Sequence, residues 1–353
     1  MRVEQREVLQ AIDEHRTALA EEAVSRHYEL QPDLAVRYGP DGRAKCLQDL
    51  DYHLLYLAEA IGASSPSLFS DYVEWAMVLL AGFKIPENDL AVNLRCLQEA
   101  LQKRVSAGAG AIVKEYIEAG TAKLSLPAEP ASFIKQESPL HLLAEQYLQA
   151  LLQSDRRAAS QMVLDAVQQG TSVKDIYLQV FQPAQQEIGR LWQTNRISVA
   201  QEHYCTAATQ LVMSQLYPYI FASDKIGRRL IASCVGGELH EIGIRMVADF
   251  FEMEGWDTYY LGANTPAASI LQSIEERRAD VLAFSATMTF HLSRVIQLID
   301  QVRAAKIGRD MIILVGGYPF NVSPGLWQQV GADGYAADAQ QAIHEANRLL
   351  GMR

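Results

Sequence analysis

The residues best equipped for chemistry lie in the last third of the chain and at one point near its middle. His240 stands in the string Glu238-Leu239-His240-Glu241-Ile242-Gly243, directly after the apolar run Leu230 to Val235. A neutral imidazole that binds a metal through one ring nitrogen needs a carboxylate or carbonyl on the other to fix its tautomer and basicity. Glu238, on the same loop, can supply it. Downstream, Ser285-Ala286-Thr287 brings hydroxyls and Gly316-Gly317 brings backbone free of side chains. Upstream, Trp192 precedes the pair Glu202-His203, an aromatic surface followed by a carboxylate and an imidazole. Singly, each has an ordinary reading. A histidine after a strand is a turn residue, a tryptophan on an apolar helix face is core, and a Glu-His pair at a helix start is a solvated cap favoured by the helix dipole.

The elements that must position these residues can be read from hydrophobic periodicity. From Arg228 onward, short apolar runs alternate with helical patterns, predicting strands at Leu230 to Val235, Thr258 to Leu261, Val281 to Ser285, Met311 to Val315 and Gly334 to Ala336. Such alternation implies a Rossmann-like parallel sheet with helices on both faces, here residues 224–353. In a flavodoxin-like strand order the first and third strands are neighbours, and ligands enter at their carboxyl ends. His240 follows the first strand and Ser285 ends the third, so the two converge.

Residues 139–222 read as a four-helix bundle, with start signals at Ser138-Pro139, Ser154-Asp155, Thr171-Ser172, and Ser198 with Gln201 closing a capping box. Trp192 ends the third helix, Asn195-Arg196-Ile197 reverse the chain, and Glu202 and His203 occupy the first turn of the fourth. Residues 124–138, with Pro127 and Pro130, read as a linker, and residues 1–123 as a further helical domain. The fold class expected is therefore α plus α/β.

Bulk properties narrow the partners. A net charge of -11 with a pI near 5.3 argues against a nucleic-acid or anionic-membrane surface. The first 120 or so residues show no basic recognition helix, so direct DNA binding is not expected. No apolar run has the length of a membrane span and the amino terminus lacks a signal-peptide core, which predicts a cytoplasmic protein. Cys46, Cys96, Cys205 and Cys234 show no metal-binding or disulfide spacing.

In order and in context, Glu238-x-His240-x-x-Gly243, Ser285-x-Thr287 and Gly316-Gly317 resemble the signature of cobalamin-binding modules, with Glu where that family usually has Asp. The resemblance implies that His240 is the lower axial ligand of the corrin cobalt, displacing the cofactor's own dimethylbenzimidazole base. It also implies that Glu238 orients His240 and that Gly243 lets the chain turn close to the corrin. Ser285 would meet the displaced base, while Gly316 and Gly317 leave room for the nucleotide tail. The spacing from Trp192 to Glu202-His203 resembles CarH-type cobalamin photoreceptors, in which a helical bundle covers adenosylcobalamin. There Trp192 would pack on the adenosyl group, and Glu202 and His203 would bond its ribose or adenine. Gln193 departs from that family, which has a histidine there to capture the cobalt after light breaks the cobalt-carbon bond. His203 or water would have to take its place.

The amino-terminal domain looks like that of photocobilins, receptors that pair cobalamin with a bilin such as biliverdin. If so, an apolar groove should accept the linear tetrapyrrole, with His53, Tyr52, Tyr72, Trp75 and Lys84 as candidate contacts. The function expected is a light sensor that changes homo-oligomeric state or its contact with a downstream protein, without being an enzyme itself. Two alternatives share the α/β module: a corrinoid methyl carrier of a methyltransferase system, and a light-independent cobalamin sensor. A mutase is not expected, since the modules assigned leave no room for its catalytic barrel.

Overall fold

The computed structural model describes residues 1–124, 130–305 and 311–352. The chain divides into two compact units, Met1–Glu129 and Pro130–Arg353. Of the expected linker, residues 125–129 lie outside the described residues, and Pro130 to Ser138 forms bends and turns. Among the described residues no helix is long and apolar enough to cross a membrane.

The first unit is helical: α1 (Val3–Leu30), α2 (Leu34–Arg37), α3 (Gly42–Gly62), α4 (Pro66–Gly82), α5 (Glu87–Gln102) and α6 (Ala107–Thr121). Local chemistry sets several boundaries. Gln5 turns back to accept from the Arg2 backbone N–H at 2.8 Å at the start of α1. Pro66 opens α4, where its missing N–H is no loss. Ser106 caps α6 by accepting from the Ala109 N–H. The core runs through Leu19, Leu50, Leu54, Leu57, Phe69, Leu94 and Leu97, all fully buried.

In the second unit, four helical stretches form the bundle: α7 (His141–Leu152), α8 (Arg156–Gln168), a third made of α9 (Val173–Ile176) and α10 (Gln182–Gln193), and α11 (Val199–Gln215). Asp155, Ser172 and Ser198 cap their helices as the sequence leads one to expect, and Gln201 closes the box with Ser198. The first stretch starts later than Ser138-Pro139, because Leu140 takes the N-cap position. Between α9 and α10, residues Tyr177–Phe181 form a π turn. Pro183 follows it, has no N–H to give and crowds the preceding turn, which is where a helix widens. A short α12 (Tyr217–Ile220) leads on to the sheet.

The strands are β1 (Arg229–Cys234), β2 (Asp257–Gly262), β3 (Val281–Ser285), β4 (Ile312–Gly316) and β5 (Gly334–Tyr335). They are all parallel in the order β2-β1-β3-β4-β5, the flavodoxin-like order expected. The helices are α13 (Ile242–Met253), α14 (Ala267–Arg277), α15 (Leu292–Ala304), α16 (Tyr318–Val322), α17 (Leu326–Gln329) and α18 (Ala339–Leu349). Helix α13 packs with α18 and α14 with α15, as right-handed crossovers on opposite faces require.

Bundle and sheet share one core. Tyr147, Tyr177 and Phe181 of the bundle join Phe250 and Phe251 of α13 and Val281 of β3 in a single buried cluster. The Tyr177 hydroxyl donates to Asp249 on α13 at 2.8 Å, both groups being buried, and burial pushes the Asp249 carboxyl up to about 6.

Candidate functional site

The strand register brings the site together. Cys234, Ser285 and Gly316 lie side by side at the ends of β1, β3 and β4, so the loops that follow open at the same edge. Glu238 lies on the first of these loops with its carboxylate fully buried. Its Oε1 accepts from the His240 backbone N–H at 3.0 Å and from His240 Nδ1 at 2.5 Å. Its Oε2 accepts from the backbone N–H groups of Thr287 at 2.7 Å and Met288 at 3.0 Å, and pairs with His291 Nδ1 at 3.2 Å. Burial alone would raise the Glu238 pKa, but the bonds from His240, His291 and the backbone outweigh it and hold the carboxyl far below its usual range.

The same bond from Glu238 raises the pKa of His240 against the opposing effect of burial, with the charges of Glu238 and Glu202 adding to it. The His240 side chain is 59% exposed. With Nδ1 committed to Glu238, Nε2 is the nitrogen that faces outward. The chemistry open to this arrangement is ligation through a single, oriented imidazole.

Beside it runs an open crevice lined by Gly243 and Val247 of α13, Ser285 of β3, Gly316 at the end of β4, Gly317 just after it, and Ala339 of α18, among others. The two glycines that matter most differ in kind. Gly317 has φ +108°, and a Cβ there would stand 2.0 Å from the Ala286 carbonyl oxygen, so the fold itself demands glycine. A Cβ on Gly243 would meet nothing within 4 Å. Ser285 lines the crevice with its hydroxyl 3.6 Å from Cys234 Sγ. Thr287 enters the site through its backbone N–H.

In the bundle, Trp192 ends α10 half-buried, and Asn195 reverses the chain with φ +57° while the Arg196 N–H bonds Leu191 O at 2.8 Å. Glu202 and His203 bond each other in the first turn of α11, Glu202 also accepting from the Thr206 hydroxyl at 2.9 Å. The His203 side chain is 75% exposed. Gln193 is buried, in contrast to the outward-facing His203. Glu202 on α11 adds to the raised pKa of His240.

The candidates of the first unit are placed differently. His53 is buried and its Nδ1 meets the Tyr72 hydroxyl at 2.7 Å. Tyr72 in turn stacks on Tyr56, with centroids 3.7 Å apart, and on Trp75. Burial lowers the His53 pKa to about 4. Tyr52 is 42% exposed, and Lys84 is exposed just beyond α4 with φ +63°. His53 and Tyr72 form a buried pair in which each gives the other a hydrogen-bond partner.

Two residues of the site escape the sequence reading. His291, buried in a 3-10 turn after β3, shares the Glu238 carboxylate. Glu241 accepts from Gln210 of α11 at 2.8 Å, from the Tyr260 hydroxyl at 2.7 Å and from the Ala263 N–H at 3.0 Å. The only sequence signal for Glu241 is its place beside His240, and His291 has none.

The chain is similar to cobalamin-binding proteins. Residues 228–344 match the B12 binding domain family model, residues 143–217 match a second B12 binding domain model, and residues 3–124 match the phycobilisome protein model. A corrinoid protein of Desulfitobacterium hafniense is 22% identical over 214 residues, 59% of this chain and 98% of that protein. Dimethylamine corrinoid protein 1 of Methanosarcina acetivorans is 26% identical over 170 residues, 46% of this chain and 77% of its own. The structure of the Methanosarcina barkeri monomethylamine corrinoid protein superposes with a TM-score of 0.54 at 20% identity, covering 60% of this chain and 99% of that one, a likeness of fold. Sequence and fold together support a cobalamin-binding chain with the corrinoid-protein fold.

Proposed function

We propose that this chain is a light sensor that binds adenosylcobalamin with its own base displaced and His240 beneath the cobalt. The observation that carries the binding is the exposed His240 imidazole held at Nδ1 by the buried Glu238 carboxylate. The residues fit such a group: Nε2 is presented outward, the crevice beside it suits a nucleotide tail, and Gly243 leaves open space at its wall. When bound, the cofactor would supply a cobalt-carbon bond that visible light cleaves.

The chain's own residues would do the rest. Glu238 keeps the proton on Nδ1 and therefore off Nε2. Ser285 meets the displaced base from the floor of the crevice. Trp192, Glu202 and His203 hold the adenosyl group under the bundle, so its departure removes contacts that favour one arrangement of bundle and sheet over another. A change of oligomeric state or of contact with a downstream protein would follow. A bilin, such as biliverdin, would be a second chromophore in the first unit, whose residues 3–124 match the phycobilisome protein model.

Green-light illumination of the purified, cobalamin-loaded chain, followed by absorbance and size-exclusion elution, tests this reading. Changes in both are expected. An unchanged spectrum and elution volume would refute it and leave a light-independent sensor. A second reading, a methyl carrier that passes a methyl group between methyltransferases, has the better support from the corrinoid relatives, among them dimethylamine corrinoid proteins of Methanosarcina. Recovery of a methyl rather than an adenosyl upper ligand would establish it.

A further inference from the structure

Helix α11 carries a polar stripe at every fourth position, Glu202, Thr206, Gln210 and Ser214, along one face. At its amino-terminal end Thr206 bonds Glu202. Further along, Arg245 of α13 donates to the Gln210 carbonyl at 3.2 Å and to the Ser214 hydroxyl at 2.7 Å. Between these points, the Gln210 amide donates to Glu241, the residue next to His240. The other Glu241 oxygen is held by Tyr260 and Ala263 at the end of β2. One carboxylate thus joins the bundle, the His240 turn and the sheet. From Glu202 to Gln210 the helix rises about 12 Å, a rigid span between the two faces of the cofactor volume.

We propose that Glu241 is a positioning residue for ligation by His240: through Gln210 it ties the helix bearing Glu202 and His203 to the turn bearing His240. Contacts made on the upper side of the cofactor thereby strengthen the grip from below. This rests on the cobalamin reading above. The coupling is reciprocal, since two sites that bias one element must favour each other equally.

The test measures affinities of the full chain for adenosylcobalamin and hydroxocobalamin in the dark, with the visible spectrum reporting the fraction ligated by His240. In Gln210→Ala and Glu241→Ala the preference for the adenosyl form falls about tenfold, within the usual range for coupled sites. Glu241→Gln keeps an acceptor for Tyr260 and Ala263 and can still pair with the Gln210 amide, so it restores most of that preference. A residue with a merely structural role would weaken both forms alike, and an unchanged ratio overturns the proposal. Should Glu241→Ala not fold, Gln210→Ala decides alone. His240→Ala is the control: if it alters neither spectrum nor affinity, the cobalamin reading itself fails and takes the coupling with it.

Discussion

His53 in the first unit and His240 in the second each commit one ring nitrogen to a neighbour, yet the two are opposites. His53 is enclosed by helix packing, its partner is a neutral hydroxyl, and burial lowers its pKa to about 4. His240 has a buried carboxylate on one side and solvent on the other, and its pKa is raised. In the core, a polar group is finished when its partner is found. At the sheet edge the partner is only half of the arrangement, because it orients a nitrogen whose use lies outside the chain. Buried polarity alone therefore does not mark a site, whereas buried polarity that aims an exposed atom does.

Substitutions can break or sharpen this contrast. The largest effect is expected at His240: His240→Ala should weaken cobalamin binding by more than about 100-fold and abolish the spectrum of a histidine-ligated corrin. The melting temperature should barely move, and a large drop would mean that His240 is structural like His53. Gly317→Ala should do the reverse and destabilise the fold by about 3 kcal/mol or more, read by chemical denaturation. Its Cβ would collide with the Ala286 carbonyl.

The third test concerns pH. With its folded pKa below the unfolded value near 6.5, His53 stays neutral in the native chain while the unfolded chain binds a proton. Stability contributed by this site is therefore present above about pH 6.5 and falls as pH drops toward about 4, by up to about 3 kcal/mol. His53→Phe should flatten that dependence in thermal melts, and an unaltered slope would place His53 in contact with water. The smallest effect is expected at Gly243. A leucine there meets no protein atom at its Cβ, so stability is kept while cobalamin binding weakens about tenfold.

How much of this was legible depends on the range of the forces involved. The five strands and their order follow from local alternation of apolar runs and helical patterns, and the Ser198 cap from neighbouring side chains. The pairing of Glu238 with His240 is equally local, two residues on one loop. His291 joins them only because the sheet brings the turn after β3 beside the loop after β1. Glu241 gains its meaning from Gln210 on another helix and Tyr260 on another strand. The residues chosen in the first unit show the opposite difficulty. His53, Tyr72 and Trp75 have the chemistry of ligand contacts, but helical periodicity does not distinguish a groove from an aromatic core.

The π turn at Tyr177–Phe181 has an angular consequence for the far end of its helix. An extra residue in one turn advances the phase of everything beyond it by about 100°. Tyr177, fixed by Asp249, is the first residue of that turn, and Trp192 lies beyond its end. Deleting a single residue within it would leave the hydroxyl in place and swing the indole to a different azimuth, so the direction in which Trp192 points is set several turns before the tryptophan is reached.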